Sequence, residues 1–137
     1  MSPDPAPQAQ TVLVVEDEVL IRMLIAGYLR DCGFKVIEAA NADEALQVLQ
    51  EAEVAIDVVF SDVEMPGSLD GFGVAQWVRR NRPGVEVILA GSPSRAANAA
   101  ADLCNSGPGS LLDKPYEPQT VLDEIRRLLA ARDRRAS

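Results

Sequence analysis

Short runs of apolar, largely β-branched residues recur along the chain at residues 11–15, 35–37, 56–60, 85–90 and 110–112, and each ends abruptly. Apolar runs without polar alternation suit strands covered on both faces, as in a parallel sheet. Helical stretches lie between them. Leu20, Ile21, Leu24, Ile25, Tyr28 and Leu29 form an i, i+3/i+4 stripe that Gly33 closes. Asn41 with Glu44 predicts a capping box ahead of Leu46 and Leu49. Val74, Trp77 and Val78 line one side of residues 72–81, which Pro83 and Gly84 stop. Residues 94–105 are alanine-rich with Leu103 as their large aliphatic residue. Val121, Leu122, Ile125, Leu128 and Leu129 predict a last helix over 118–132, with its arginines toward the end that the helix dipole favours for cations. The order is (βα)5. Strands joined by helices run parallel, and right-handed crossovers put helices on both faces. The expected fold is α/β: a five-stranded parallel sheet, doubly wound and flavodoxin-like. In such sheets chemistry collects outside the carboxyl ends of the strands.

Composition removes several functions. The 137 residues suit one domain. Acidic residues number 21 against 13 basic, a net charge of −8, so a basic nucleic-acid surface is not expected. The chain has no histidine, which rules out histidine catalysis and His-ligated zinc within it. Cys32 and Cys104 match no zinc or redox spacing. No apolar run approaches the ~20 residues of a membrane span. The start lacks the basic and apolar regions of a secretory signal, so a cytoplasmic location is expected. Residues 1–10 read as a Pro-rich flexible lead-in, 11–132 as the folded domain and 133–137 as a frayed polar tail.

The strand ends carry the chemistry. The first ends in Glu16-Asp17-Glu18, the third in Ser61-Asp62-Val63-Glu64, the fourth in Ala90-Gly91-Ser92 and the fifth in Asp113-Lys114-Pro115. Carboxylates gathered there repel one another unless a cation intervenes. Mg²⁺ typically takes one or two carboxylates, waters and phosphate oxygens. Lys114 then reads as a point charge for a phosphate. Without a histidine or an activated thiol, the obvious nucleophile is a carboxylate attacking phosphorus. These residues point to Mg²⁺-assisted phosphoryl transfer onto an aspartate.

With these residues in view, the chain resembles a bacterial response-regulator receiver domain over about residues 11–131. The matching stretches are Val12-Leu-Val-Val-Glu-Asp-Glu18, Phe60-Ser-Asp-Val-Glu-Met-Pro-Gly67 with Asp70-Gly71, Arg82-Pro-Gly-Val-Glu-Val-Ile-Leu89, and Leu112-Asp-Lys-Pro-Tyr116. The resemblance implies that Asp62 is the phosphoacceptor, served by the histidine of a sensor kinase or phosphotransfer protein. It implies that Asp17, Asp62 and the backbone carbonyl of Glu64 ligate Mg²⁺, that Glu16 acts through water, and that Lys114 contacts the phosphate. It also implies a cis Lys114–Pro115 bond.

Two positions depart from the family pattern. The usual Thr or Ser at the end of the fourth strand aligns with Ala90, with Ser92 as a candidate replacement hydroxyl, and the usual aromatic before the lysine is Leu111. The altered pair suggests that residues 94–105 and the loop before them respond to phosphorylation by opening, since an alanine-rich helix buries little apolar surface.

The expected protein is a stand-alone regulator of a two-component or phosphorelay system, because five residues follow Arg132. It would be a monomer or weak dimer that signals by protein–protein contact and is not an enzyme. The alternatives are a receiver excised from a hybrid kinase and a small phosphoaspartate-forming hydrolase. Gly71-Phe-Gly73 lacks the third glycine of a nucleotide fingerprint, and a pseudo-receiver would not need intact Glu16, Asp17, Asp62 and Lys114.

Overall fold

The structure is a computed structural model that describes residues 9–65, 67, 69–92 and 110–136. Its elements are β1 (Thr11–Val15), α1 (Val19–Asp31), β2 (Lys35–Ala39), α2 (Ala42–Gln50), β3 (Val58–Asp62), α3 (Gly71–Asn81), β4 (Glu86–Gly91), β5 (Ser110–Asp113) and α4 (Pro118–Ala136). The expected helix over 94–105 lies outside the described residues. The strands form one parallel sheet in the order β2-β1-β3-β4-β5. This is the doubly wound, flavodoxin-like arrangement, whose order reverses between β1 and β3.

Side chains alternate along each strand and build two cores. Val12, Val14, Phe60, Ile88, Ala90 and Leu112 face α1 and α4, where Ile25, Leu29, Val121 and Ile125 meet them. Leu13, Val15, Val59 and Leu89 face α2 and α3, against Ala45, Leu49, Val74 and Val78. Each fully buried aliphatic side chain contributes ~1.5–3 kcal/mol, so both faces need their helices. This explains the unbroken apolar runs.

The stripe on α1 is narrower than its sequence suggests. Ile25 and Leu29 are buried and Ile21 and Tyr28 pack against the same core, but Leu20 and Leu24 are 82% and 60% exposed. Residues one position apart on a helix are turned by ~100°, so the contact that buries Ile21 and Ile25 leaves their predecessors on the rim. Gly33 ends α1 as expected, at φ +98°. Its N–H bonds the Arg30 carbonyl and the Phe34 N–H bonds the Leu29 carbonyl, a Schellman closure whose left-handed residue favours glycine. Asn41 accepts the Glu44 N–H at 2.8 Å, and Glu44 reaches back to the Ala40 N–H at 2.7 Å.

The strands run past their apolar runs wherever backbone pairing continues. β3 begins at Val58 rather than residue 56 and carries on through Ser61 and Asp62, which pair with Leu89 and Ala90. The last helix also runs beyond Arg132, through Ala136. Its C-terminal turns are tied down by charge: Arg132 bonds Asp57 at 3.1 Å, and Arg135 bonds buried Glu86. Asp57 also accepts the Thr11 N–H at 2.8 Å. These ties sit at the amino ends of β1, β3 and β4, opposite the site.

Candidate functional site

β1 and β3 flank the point where strand order reverses, and both deliver carboxylates there. The Glu16 N–H extends the ladder to the Ala39 carbonyl at 3.1 Å, which carries its side chain inward. Glu16 is buried while neighbouring Asp17 is exposed. The Glu16 carboxylate accepts the Glu18 N–H at 3.2 Å, and its carbonyl accepts Arg22 Nη1 at 2.8 Å. Asp62 ends β3 and is only 4% exposed. One of its carboxylate oxygens accepts the Glu64 N–H at 3.2 Å; the other accepts Lys114 Nζ at 2.8 Å. Lys114 is placed by its own N–H, which bonds the Gly91 carbonyl at 2.8 Å, and the Lys114–Pro115 bond is cis. Behind Asp62, the start of α3 presses close. The Gly71 N–H bonds the Val63 carbonyl at 3.1 Å, and Asp70 caps the helix through the Gly73 N–H at 3.1 Å.

Carboxylate oxygens of Glu16, Asp17 and Asp62 all lie within 4.8 Å of one another. Burial pushes the Glu16 carboxyl up to about 7; the Glu18 N–H opposes that rise, and the charge of Asp62 adds to it. Burial by itself would lower the Lys114 ammonium, but its hydrogen bond and attraction to Asp62 outweigh this and hold it above the usual lysine value. Tyr116 packs edge-on against Phe60, with ring centroids 5.5 Å apart. Burial, then the charges of Glu16, Asp62 and Glu18, raise its hydroxyl above the usual tyrosine range. Among the described residues, Lys114 is the one cation bonded to a carboxylate of this cluster. Three carboxylates at this separation suit a hard divalent cation such as Mg²⁺.

The remaining expected residues fall into place around this centre. Glu64 is exposed on the loop after β3. Ala90 does not end β4: the strand continues to Gly91, and Ala90 stands in register with Asp62 and Leu112. Its methyl group belongs to the core shared with Phe60 and Ile88. The strand end is therefore Gly91, and the next hydroxyl along the chain is half-buried Ser92. Leu111, at the position expected to be aromatic, packs against the α2–α3 core. Arg22 was not among the residues expected in the site. Its mark in the sequence is a lone basic residue in the apolar first turns of α1, four positions after Glu18.

The family model of the response regulator receiver domain matches residues 12–126. The chain belongs to that family. Among curated relatives, the receiver is 32% identical over 123 residues to the sensor kinase CckA of Brucella abortus, covering 90% of this chain and 13% of that protein. It is 32% identical over 127 residues to a probable transcriptional regulator, ycf27, of Pyropia yezoensis, covering 93% of this chain and 50% of that protein. The chain thus spans half or less of the length of these relatives. A crystal structure of a response regulator receiver domain protein from Clostridium thermocellum is 26% identical and superposes with a TM-score of 0.82, covering 90% of this chain and 97% of that one. Receiver domains are signalling domains of two-component systems, phosphorylated in a Mg²⁺-dependent way at an acidic cluster. Among the described residues, no helix is long and apolar enough to cross a membrane.

Proposed function

We infer that this receiver accepts a phosphoryl group on Asp62 from the histidine of a sensor kinase or phosphotransfer protein and acts in the cytoplasm through protein–protein contact. The observation that carries this reading is the meeting of the Glu16, Asp17 and Asp62 carboxylates within 4.8 Å, with Lys114 bonded to Asp62. Asp17, Asp62 and the Glu64 carbonyl are the proposed Mg²⁺ ligands, with Glu16 acting through water. Bound there, Mg²⁺ would neutralise the incoming phosphoryl oxygens. A carboxylate oxygen of Asp62 attacks phosphorus as the bond to the donor nitrogen breaks, and the imidazole leaves. Lys114 then has a phosphoryl oxygen to bond in place of the aspartate. No histidine lies within these 137 residues, so the donor histidine lies outside them. The functional unit is residues 11–132 with the remainder of α4.

Incubation with a small-molecule phosphodonor and Mg²⁺ should add one phosphoryl group to the intact mass, and a chelator should abolish the addition. A chain that stays unmodified, or is modified equally with chelator present, overturns the reading.

Val19, Leu20, Met23 and Leu24 are 54–82% exposed on the first turns of α1, directly after the acid turn. Four large apolar side chains beside a site that a partner must approach suit the docking of the donor protein. Changing Leu20 and Leu24 together to serine should slow transfer from a protein donor at least about 10-fold, since hot-spot truncations cost more than ~1–2 kcal/mol each. Transfer from a small phosphodonor should be unchanged. Equal slowing of both reactions would place the fault in the site rather than in docking.

A further inference from the structure

The turn that carries Glu16 and Asp17 is held at each backbone and side-chain handle of Glu16. One hold is cross-strand, its N–H going to the Ala39 carbonyl, and one is local, its carboxylate taking the Glu18 N–H. The third comes from α1, where Arg22 Nη1 donates to the Glu16 carbonyl at 2.8 Å. Arg22 is itself oriented. Its Nε faces Glu38 on β2 at 3.4 Å, and its side chain is 16% exposed. The other Glu38 oxygen takes Arg30 Nη1 at 3.2 Å, and Arg30 Nη2 donates to the Val36 carbonyl at 3.0 Å. One chain of charge-assisted hydrogen bonds therefore runs from β2 through α1 to the acid turn.

The Glu16 carbonyl belongs to the peptide plane that leads into Asp17. Fixing that plane fixes the direction in which the Asp17 side chain leaves, and so its carboxylate's position relative to Asp62. A bare cation so near a metal site would oppose metal binding by Coulomb repulsion. Glu38 offsets that charge and leaves Arg22 acting as a directed donor.

We propose that Arg22, oriented by Glu38, is a positioning residue that sets the Mg²⁺ affinity of the Glu16, Asp17 and Asp62 cluster. This rests on the metal reading given above. Outer partners of metal ligands typically change affinity ~10–100-fold when removed. Arg22→Met keeps the apolar stem and loses the donors. Arg22→Lys keeps the charge and one donor but cannot span the carbonyl and Glu38 together.

The thermal midpoint of the full chain, followed against Mg²⁺ concentration, separates the outcomes. Arg22→Met should keep the parent's midpoint in chelator to within a few degrees and need about 10-fold more Mg²⁺ to reach the same increment; Arg22→Lys should fall between the two. Glu38→Gln, which leaves the guanidinium in place but unoriented, should also need more Mg²⁺ and serves if Arg22→Met does not fold. Variants that follow the parent's Mg²⁺ curve overturn the proposal, as does a lowered midpoint in chelator with an unchanged Mg²⁺ increment, which marks a purely structural arginine. A parent that does not respond to Mg²⁺ overturns the metal reading and this inference together.

Discussion

Asp62→Ala is expected to take up no phosphoryl group from a small donor under conditions that modify the parent fully. The nucleophilic oxygen is gone, and among the described residues no other carboxylate holds its combination of burial and a lysine partner at 2.8 Å. Glu16 lacks such a lysine bond, and its carboxylate is occupied by the Glu18 N–H. Asp17 is exposed at the rim. The same substitution should cost little stability. It removes the Lys114 bond, but Lys114 is exposed enough to solvate its ammonium, and it relieves the like charge beside buried Glu16. Intact mass and a thermal scan on one sample should therefore disagree: complete loss of the adduct, with a midpoint within a few degrees of the parent. An adduct of equal size on the variant would falsify the assignment of Asp62.

Gly71→Ala is expected to act in the opposite sense, on stability first. A Cβ at this position would lie 2.4 Å from the Asp62 carbonyl oxygen and 3.0 Å from the Val63 Cα. Both obstacles are backbone, so no side chain can swing away. The start of α3 must retreat, which strains its bond to the Val63 carbonyl and the Asp70 cap. Overpacking of this kind costs about 3 kcal/mol, a fall of roughly 10 °C in midpoint for a domain of this size. The retreat also disturbs Asp62 itself, so phosphoryl uptake should drop as well. Gly27→Ala on α1 is the control. A Cβ there meets nothing within 4 Å, and alanine favours a helix by up to ~1 kcal/mol over glycine. A Gly71→Ala midpoint equal to that of Gly27→Ala would refute the close-packing argument.

The fold and the acid cluster were readable in the sequence because each rests on local pattern. β1, β3 and β4 are buried on both faces, so their residues announce themselves as unbroken apolar runs. Gly33 and the Asn41–Glu44 pair mark helix ends through interactions that span only a few residues. Carboxylates at the ends of two strands converge because a parallel sheet aligns its carboxyl ends. What escaped depends on partners far apart in the chain. The exposure of Leu20 and Leu24 is decided by where α4 and the sheet lie against α1. The extra residue that moves the end of β4 from Ala90 to Gly91 is set by pairing with β3 and β5. Arg22 reaches a carbonyl six residues back and a carboxylate sixteen residues on, a reach that helical periodicity does not reveal.

The ion pairs at the amino ends of the strands give the molecule two unlike poles. At one, Asp57 and buried Glu86 are satisfied by Arg132 and Arg135; at the other, three carboxylates crowd together. The part of the chain that forms these ion pairs lies away from the three carboxylates. The loops around the crevice can be redrawn for a new partner without loosening the foundation, and the foundation can be reinforced without blunting the crevice. Such a division lets one scaffold be re-addressed many times while its reaction stays the same.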